Sequence, residues 1–298
     1  MTQFLTVFTP TYNRAYTLPQ LYESLCRQTC QDFVWSIVDD GSTDNTEELV
    51  RQWIEGQRIP IIYHKQPNGG KMRAHNYGAR ICTTPLFVCI DSDDYVSDFF
   101  VESVQTHYPQ IKESSNLVGF IAYRAIRQKD GAFRVICHFP CSGTTTLKDI
   151  YKKGFHGDTT IVFKSDILRK YPFLEVEGEK FSSEDYAYCQ IDQKYKYLLV
   201  KEAWTMCTYL PDGYSYGENA LWAKNPKGSA LYYNLKVKFT DGYLNKEKIG
   251  CAIKYMIYAR RAGMKGIWRQ SELKTPFYPL IWFLSYYYER KWKQKFPK

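Results

Sequence analysis

Along residues 4–95 the hydrophobic positions alternate between short continuous runs and stretches in which apolar residues recur every three or four positions. Phe4–Thr9, Phe33–Val38, Ile59–His64 and Leu86–Ile90 are runs of the kind that forms strands buried on both faces. Between them Leu18, Leu21, Tyr22 and Leu25 share one helical face, as do Leu49, Val50, Trp53 and Ile54, and then Ala74, Tyr77, Gly78 and Ile81. This βαβαβαβ pattern predicts right-handed crossovers and a parallel sheet covered on both faces. Every strand-to-helix loop then emerges at the carboxyl edge, where open α/β folds bind ligands. Further along, Leu117–Ile126 and Phe133–Phe139 read as two strands joined through Lys129-Asp-Gly131, a hairpin that would extend the sheet with an antiparallel segment.

The predicted loops carry chemistry. The run Leu86–Ile90 ends in Asp91, Asp93 and Asp94, carboxylates that repel one another unless a cation sits between them. Hard divalent cations such as Mg²⁺ or Mn²⁺ take oxygen ligands and share them with phosphates, so a metal–diphosphate site is one account and a solvated acidic turn is the other. The loop Thr9-Pro-Thr-Tyr-Asn-Arg14 offers a ring and an amide where a base could stack, although Pro and Asn also suit a plain turn. In Asp39-Asp-Gly-Ser-Thr-Asp-Asn-Thr46, capping of the next helix by Ser42, Thr43 and Asp44 explains most of the polarity but leaves Asp39 and Asp40 unused. A carboxylate at a strand end can accept the N3–H of uracil, which makes Asp40 a candidate nucleobase reader. Adjacent glycines in Gln66-Pro-Asn-Gly-Gly-Lys71 let backbone approach an anion at a helix start, with Lys71 and Arg73 adding charge, or simply make a tight turn. Neither a Walker loop nor GxGxxG is present, which argues against an NTPase or a nicotinamide dehydrogenase.

Taken in order and spacing, Thr9–Arg14, Val38–Thr46, Asn68–Lys71 with Ala74, Asn76, Gly78 and Ala79, and Ile90–Asp94 resemble the family 2 glycosyltransferases of GT-A fold, a likeness that covers roughly residues 4–95. The resemblance implies inverting transfer of a sugar from a nucleotide donor, usually a UDP-sugar, to an acceptor hydroxyl. It implies a nucleotide site formed by Thr9, Pro10, Tyr12, Asn13, Arg14, Asp40, Gly70, Lys71, Asn76, Asp91 and Ser92. Thr9, Tyr12 and Asp40 would surround the base, Asp91 the ribose, and Asp93 a Mn²⁺ or Mg²⁺ on the diphosphate. In Phe181-Ser-Ser-Glu-Asp-Tyr186 the family places its general base on the Asp, here Asp185, with Glu184 the substitute. The same residues also read as an ordinary capped helix start. Gly154-Phe-His-Gly-Asp158 and Tyr209–Tyr216 are candidate acceptor loops, and His156 a candidate phosphate contact. The remaining histidines, His64, His75, His107 and His138, lack the spacing of a zinc site.

Composition adds boundaries. At 298 residues with 44% hydrophobic content the chain can build a sizeable core. The expected organisation is a GT-A catalytic domain over 1–240, with a nucleotide-sugar half at 1–98 and an acceptor half at 99–240, followed by a helical extension at 241–298. Nine cysteines without CxxC pairs and no apolar leader suit free thiols in a cytoplasmic protein, with Cys26 and Cys30 on one helix face. From Cys251 onward eleven Lys or Arg stand against Glu272 and Glu289, so the whole net charge of +9 lies in the tail. Between its basic clusters Pro276–Tyr288 is rich in the Trp and Tyr of bilayer interfaces, yet too short and too broken by Pro279 to span one. Two accounts follow: peripheral contact with an anionic membrane, which would suit a lipid-linked or polysaccharide acceptor, or helices packed on the domain with a basic solvent face. The expected partners are a nucleotide-sugar donor and a carbohydrate or lipid-linked acceptor, with no nucleic acid. Two other readings stand beside transfer, a sugar-nucleotide nucleotidyltransferase and a non-catalytic carbohydrate-binding relative.

Overall fold

The computed structural model describes residues 3–210 and 220–295, with side chains as far as Lys291. Two compact units emerge, one made of residues 1–172 and 190–216, the other of residues 173–189 and 217–298.

The first unit is built on the predicted alternation. It runs β1 (Leu5–Thr11), α1 (Leu18–Cys26), β2 (Phe33–Asp39), α2 (Thr46–Gly56), β3 (Ile61–Lys65), α3 (Lys71–Ile81) and β4 (Leu86–Cys89). It continues through β5 (Tyr95–Val96), α4 (Phe100–His107), α5 (Pro109–Lys112), β6 (Leu117–Arg127), β7 (Phe133–Arg134), β8 (Thr144–Thr145), α6 (Leu147–Lys152), β9 (Thr159–Lys164) and α7 (Ser165–Leu168). After α8 (Asp185–Ile191), whose residues divide between the two units, comes β10 (Lys196–Cys207). The ten strands form one sheet in the order β3-β2-β1-β4-β9-β6-β10-β5, with β7 on β6 and β8 on β10. The first four are parallel, in register Leu5↔Phe33 to Thr11↔Asp39 and Leu5↔Leu86 to Phe8↔Cys89. β9 then enters antiparallel between β4 and β6.

Fully buried Leu5, Val7, Phe33, Trp35, Leu86 and Val88 fill the sheet, and Leu18, Leu21 and Leu25 of α1 pack on it. Close approach of α3 to β1 requires Gly78, because a Cβ there would fall 2.1 Å from the Phe8 ring. Several expectations shift. β3 is a half-exposed edge strand, and Ile54 of α2 turns to solvent. The Lys129–Gly131 turn does join β6 to an antiparallel partner, but that partner is two residues long and pairs only at Ile126↔Arg134 and Arg127↔Phe133. Cys30 lies beyond the end of α1, so it shares no helix face with Cys26.

The second unit holds α9 (Pro226–Phe239), α10 (Lys246–Arg261), α11 (Ile267–Gln270) and α12 (Tyr278–Lys295). Its core gathers Ala230, Val237, Ala252, Tyr255, Met256, Ala259 and Ile281. The free N–H groups at the start of α9 are met from outside the helix: Glu179 accepts from Lys227 N and Gly228 N, each at 2.7 Å. Pro279 sits in the first turn of α12, where a missing N–H costs nothing, so it starts this helix rather than breaking it. Among the described residues no helix is long and apolar enough to cross a membrane.

Candidate active site

At the carboxyl edge of the first unit the loops after β1, β2, β3 and β4 come together through hydrogen bonds between polar side chains and backbone. Asn13 adopts a left-handed conformation at φ 52°, its N–H donates to Ser42 Oγ at 2.9 Å, and its Oδ1 accepts from Thr43 N at 2.8 Å. Arg14 N and Ala15 N donate to Thr46 Oγ1 and Asp44 Oδ2. Ser42 and Thr43 therefore tie two loops together instead of capping α2, and only Asp44 bonds a backbone group of that helix, Thr46 N at 3.1 Å. Tyr12 stands 48% exposed on the first loop, a ring face open to a stacking partner. Thr9 faces the interior, where its hydroxyl accepts from Trp35 Nε1 at 3.0 Å, and Pro10 is paired opposite Val38 within the sheet. Two residues on, Thr11 presents a buried Oγ1 with no hydrogen-bond partner at the same edge.

Both acids at the end of β2 are employed. Asp39 accepts from Ser42 N and from Tyr63 Oη, each at 2.7 Å. Asp40 accepts from Gly69 N at 2.9 Å, Gly70 N at 2.7 Å and Gln66 Nε2 at 2.8 Å. The anion cradled by the glycine loop is thus the chain's own Asp40, with Gly70 at φ 96°, a conformation glycine adopts without strain. A carboxylate has about four lone-pair sites, so three bonds leave Asp40 one further acceptor position.

The three acids after β4 divide. Asp91 Oδ1 pairs with Lys71 Nζ at 2.7 Å, and its Oδ2 lies 3.8 Å from Arg124 Nη1. Asp94, 2% exposed, lies 3.1 Å from the same guanidinium without hydrogen-bond geometry, so the attraction is Coulombic through space. Crowding is therefore relieved in part by two cations of the chain itself. Burial opposes charge on Asp91, but Lys71 and Arg124 outweigh it and hold this carboxyl below the usual range. Burial dominates at Asp94 and pushes its carboxyl upward despite Arg124. Among the described residues Asp93 makes no ion pair, and burial followed by the Asp91 charge raises its carboxyl, with Arg14 and Lys71 opposing. Asn76 and Ser92 are buried at this edge, at 9% and 7% exposure. Sequence reading missed Arg124; its signal was a lone cation inside the apolar run Leu117–Ile126.

Of the candidate acceptor loops, Phe155 is core at 1% exposure, His156 is exposed, and Asp158 accepts from Tyr209 Oη. Residues 211–216 of the second loop lie outside the described residues.

In the second unit Asp185 is the exposed first residue of α8, and its Oδ2 accepts from Tyr232 Oη of α9 at 3.0 Å. Burial, then the Asp185 charge, raises the Tyr232 phenol, so it donates as a neutral group. Ser182 does not cap α8; its hydroxyl donates to Leu174 O at 2.7 Å. Glu184 precedes Asp185, and its carbonyl accepts from Ala187 N at 3.0 Å.

The family model for glycosyl transferase family 2 matches residues 6–169, more than half of the chain. The chain belongs to this family. The chain is 27% identical to the minor teichoic acid biosynthesis protein GgaB of Bacillus subtilis over 84% of its own length and 28% of that protein's. It is 29% identical to the glycosyltransferase GlyG of Streptococcus pneumoniae over 62% of its length and 64% of GlyG's. It spans less than two-thirds of the length of the curated relatives it matches. Among solved structures it is similar to TarS residues 1–349 of S. aureus with UDP-GlcNAc, at TM-score 0.61 and 17% identity over 95% of this chain and 79% of that one. The mannosyltransferase PcManGT of Pyrobaculum calidifontis with GDP-Man and Mn²⁺ is similar at TM-score 0.54 and 16% identity, over 99% of this chain and 84% of that one. These likenesses show a GT-A fold.

Proposed function

We propose that this glycosyltransferase moves a sugar from a UDP-sugar to a hydroxyl of a polysaccharide or lipid-linked intermediate, with inversion at the anomeric carbon and with a divalent cation bound. The observation that carries the reading is the division of labour after β4: Asp91 and Asp94 are balanced by Lys71 and Arg124, and Asp93 alone keeps an unpaired carboxylate. No group of three or more His, Cys, Asp or Glu side chains is placed to hold a metal among the described residues. A cation on Asp93 would therefore complete its shell with diphosphate oxygens, as hard cations do. Bound there, it would neutralise charge on the departing diphosphate.

The chain's own groups supply the rest. Tyr12 stacks on the base, the remaining lone pair of Asp40 accepts the uracil N3–H, and Asp91 accepts from the ribose. The acceptor oxygen attacks C1 of the donor sugar from the face opposite the diphosphate. The C1–O bond breaks, its electron pair leaves with the nucleoside diphosphate, and the acceptor proton passes to Asp185 Oδ1, the oxygen that Tyr232 does not engage. A base within hydrogen-bond reach is typically worth ~10²–10⁴-fold. The UDP-GlcNAc held by TarS supports a UDP donor, the Mn²⁺ in PcManGT supports the cation, and GgaB's place in teichoic acid biosynthesis supports a polymer acceptor.

Incubation with a panel of UDP- and GDP-sugars tests the proposal. Release of UDP with a β-linked product from an α-linked donor is expected. Pyrophosphate release from a nucleoside triphosphate and a sugar phosphate would instead mark a nucleotidyltransferase.

A further inference from the structure

Helix α12 packs Ile281 into the core of the second unit, meets α10 through polar groups as well, and leaves a second apolar face uncovered. Its face towards α10 carries Ile281 and the polar Ser285 and Glu289, with Arg260 Nη1 donating to Ser285 Oγ at 2.8 Å and Arg260 Nη2 pairing with Glu289 Oε2 at 2.8 Å. Its outward face, at helical spacing, carries Leu280, Phe283, Leu284 and Tyr287, exposed by 60%, 72%, 38% and 52%. Lys291 extends this face, with its ammonium 4.7 Å from the Tyr287 ring. Beside the first turn of α12 lies a cleft of about 750 Å³, whose lining includes Trp268, Arg269, Leu273, Lys274, Tyr278 and Trp282 and no acidic residue. The Arg269 guanidinium stacks 5.3 Å from the Trp268 ring, and Lys274 Nζ is anchored on Ser271 O at 2.6 Å.

Four exposed apolar side chains on one helix face are costly in water unless something covers them. The surroundings name the cover. The segment holding this face carries the whole positive excess of the chain, and its exposed rings include Trp268, Tyr286, Tyr287 and Tyr288, of the residue types that settle at the boundary between hydrocarbon and headgroups. We propose that α12 and the adjacent cleft form a docking surface for an anionic lipid bilayer. Leu280, Phe283, Leu284 and Tyr287 enter the interfacial layer, and Arg269 and Lys274 hold a lipid phosphate headgroup between the rings of Trp268 and Trp282. The inference deepens the proposed use of a lipid-linked acceptor by naming the surface that meets the membrane.

Sedimentation of the full chain with vesicles of phosphatidylcholine containing phosphatidylglycerol, against phosphatidylcholine alone, tests it. Binding to the anionic vesicles is expected, weakening as salt rises. Leu280→Asp with Phe283→Asp should reduce it by at least about tenfold, since each exposed side chain otherwise gains its transfer free energy. Arg269→Glu with Lys274→Glu should remove the preference for anionic vesicles. These positions are exposed, so an unchanged melting temperature and unchanged transfer to a soluble acceptor should accompany the loss. That second readout separates failure here from failure of the transferase reading. Equal binding by wild type and the Asp variants would overturn the proposal. So would a wild-type dimer that the Asp variants dissociate, because the face would then cover a second copy of the chain.

Discussion

Lys71 Nζ sits 2.7 Å from Asp91 Oδ1, a contact that links the start of α3 to the acids after β4. Lys71 and Asp91 are 19% and 29% exposed, so this pair is only weakly screened by water. Lys71→Met is expected to lower stability by about 1–3 kcal/mol, because Asp91 would keep only the more distant Arg124. Nucleotide affinity should fall by about tenfold as the carboxylate proposed to bind the ribose loses its orientation. Calorimetric titration with UDP and a denaturant melt check both; no change in either would show the pair to be incidental.

A second prediction concerns Asp185, the proposed base. Asp185→Asn should slow turnover by ~10²–10⁴-fold with nucleotide affinity held within a few-fold. Tyr232→Phe keeps the carboxylate but removes the phenol that fixes one of its oxygens, so a smaller fall in kcat with unchanged affinity for UDP is expected. Steady-state kinetics on both variants decide the matter, and full activity of Asp185→Asn would transfer the role to Glu184.

His75 sets a pH dependence. It lies in α3 at 3% exposure, edge-on to Phe8 at 5.5 Å and Phe87 at 5.3 Å, and burial lowers its pKa to about 3. A depressed histidine stays neutral when folded while the unfolded chain takes up a proton below about 6.5. Its contribution is complete above that value and is lost as pH falls towards 3. From pH 6.5 to 5 the loss should be ~2 kcal/mol, and His75→Gln should flatten this part of the stability profile. An identical slope in both proteins would contradict the assignment.

Packing gives a fourth. Gly78→Ala places a methyl 2.1 Å from the Phe8 ring, and overpacking of this kind typically costs ~1–3 kcal/mol. Thermal unfolding should register it, and an unchanged melting temperature would mean that α3 can move off β1.

The parallel half was legible because β1, β2 and β4 are buried on both faces and leave mostly apolar runs, and their observed ends lie within two residues of those expected. β9 and β10 were not. β9 is a six-residue strand opening on two threonines, and β10 carries register shifts near Val200, Ala203 and Thr205 that break the period-two pattern. At the site, the sequence named the acids but not their partners. That Asp40 is held by Gly69 and Gly70, or Asp94 by Arg124, depends on loops and strands far apart in sequence. Tyr232 lay hidden in an aromatic pair on α9 that reads as core.

The role proposed for Asp93 is to hold a cation on the diphosphate of a UDP-sugar at the carboxyl edge of β4. Titration of UDP-GlcNAc into wild type and Asp93→Asn, each with Mn²⁺ and with excess chelator, tests it most directly. Wild type is expected to bind tightly only with Mn²⁺, and Asp93→Asn weakly and equally in both conditions; equal wild-type affinity in chelator and in Mn²⁺ would contradict the role.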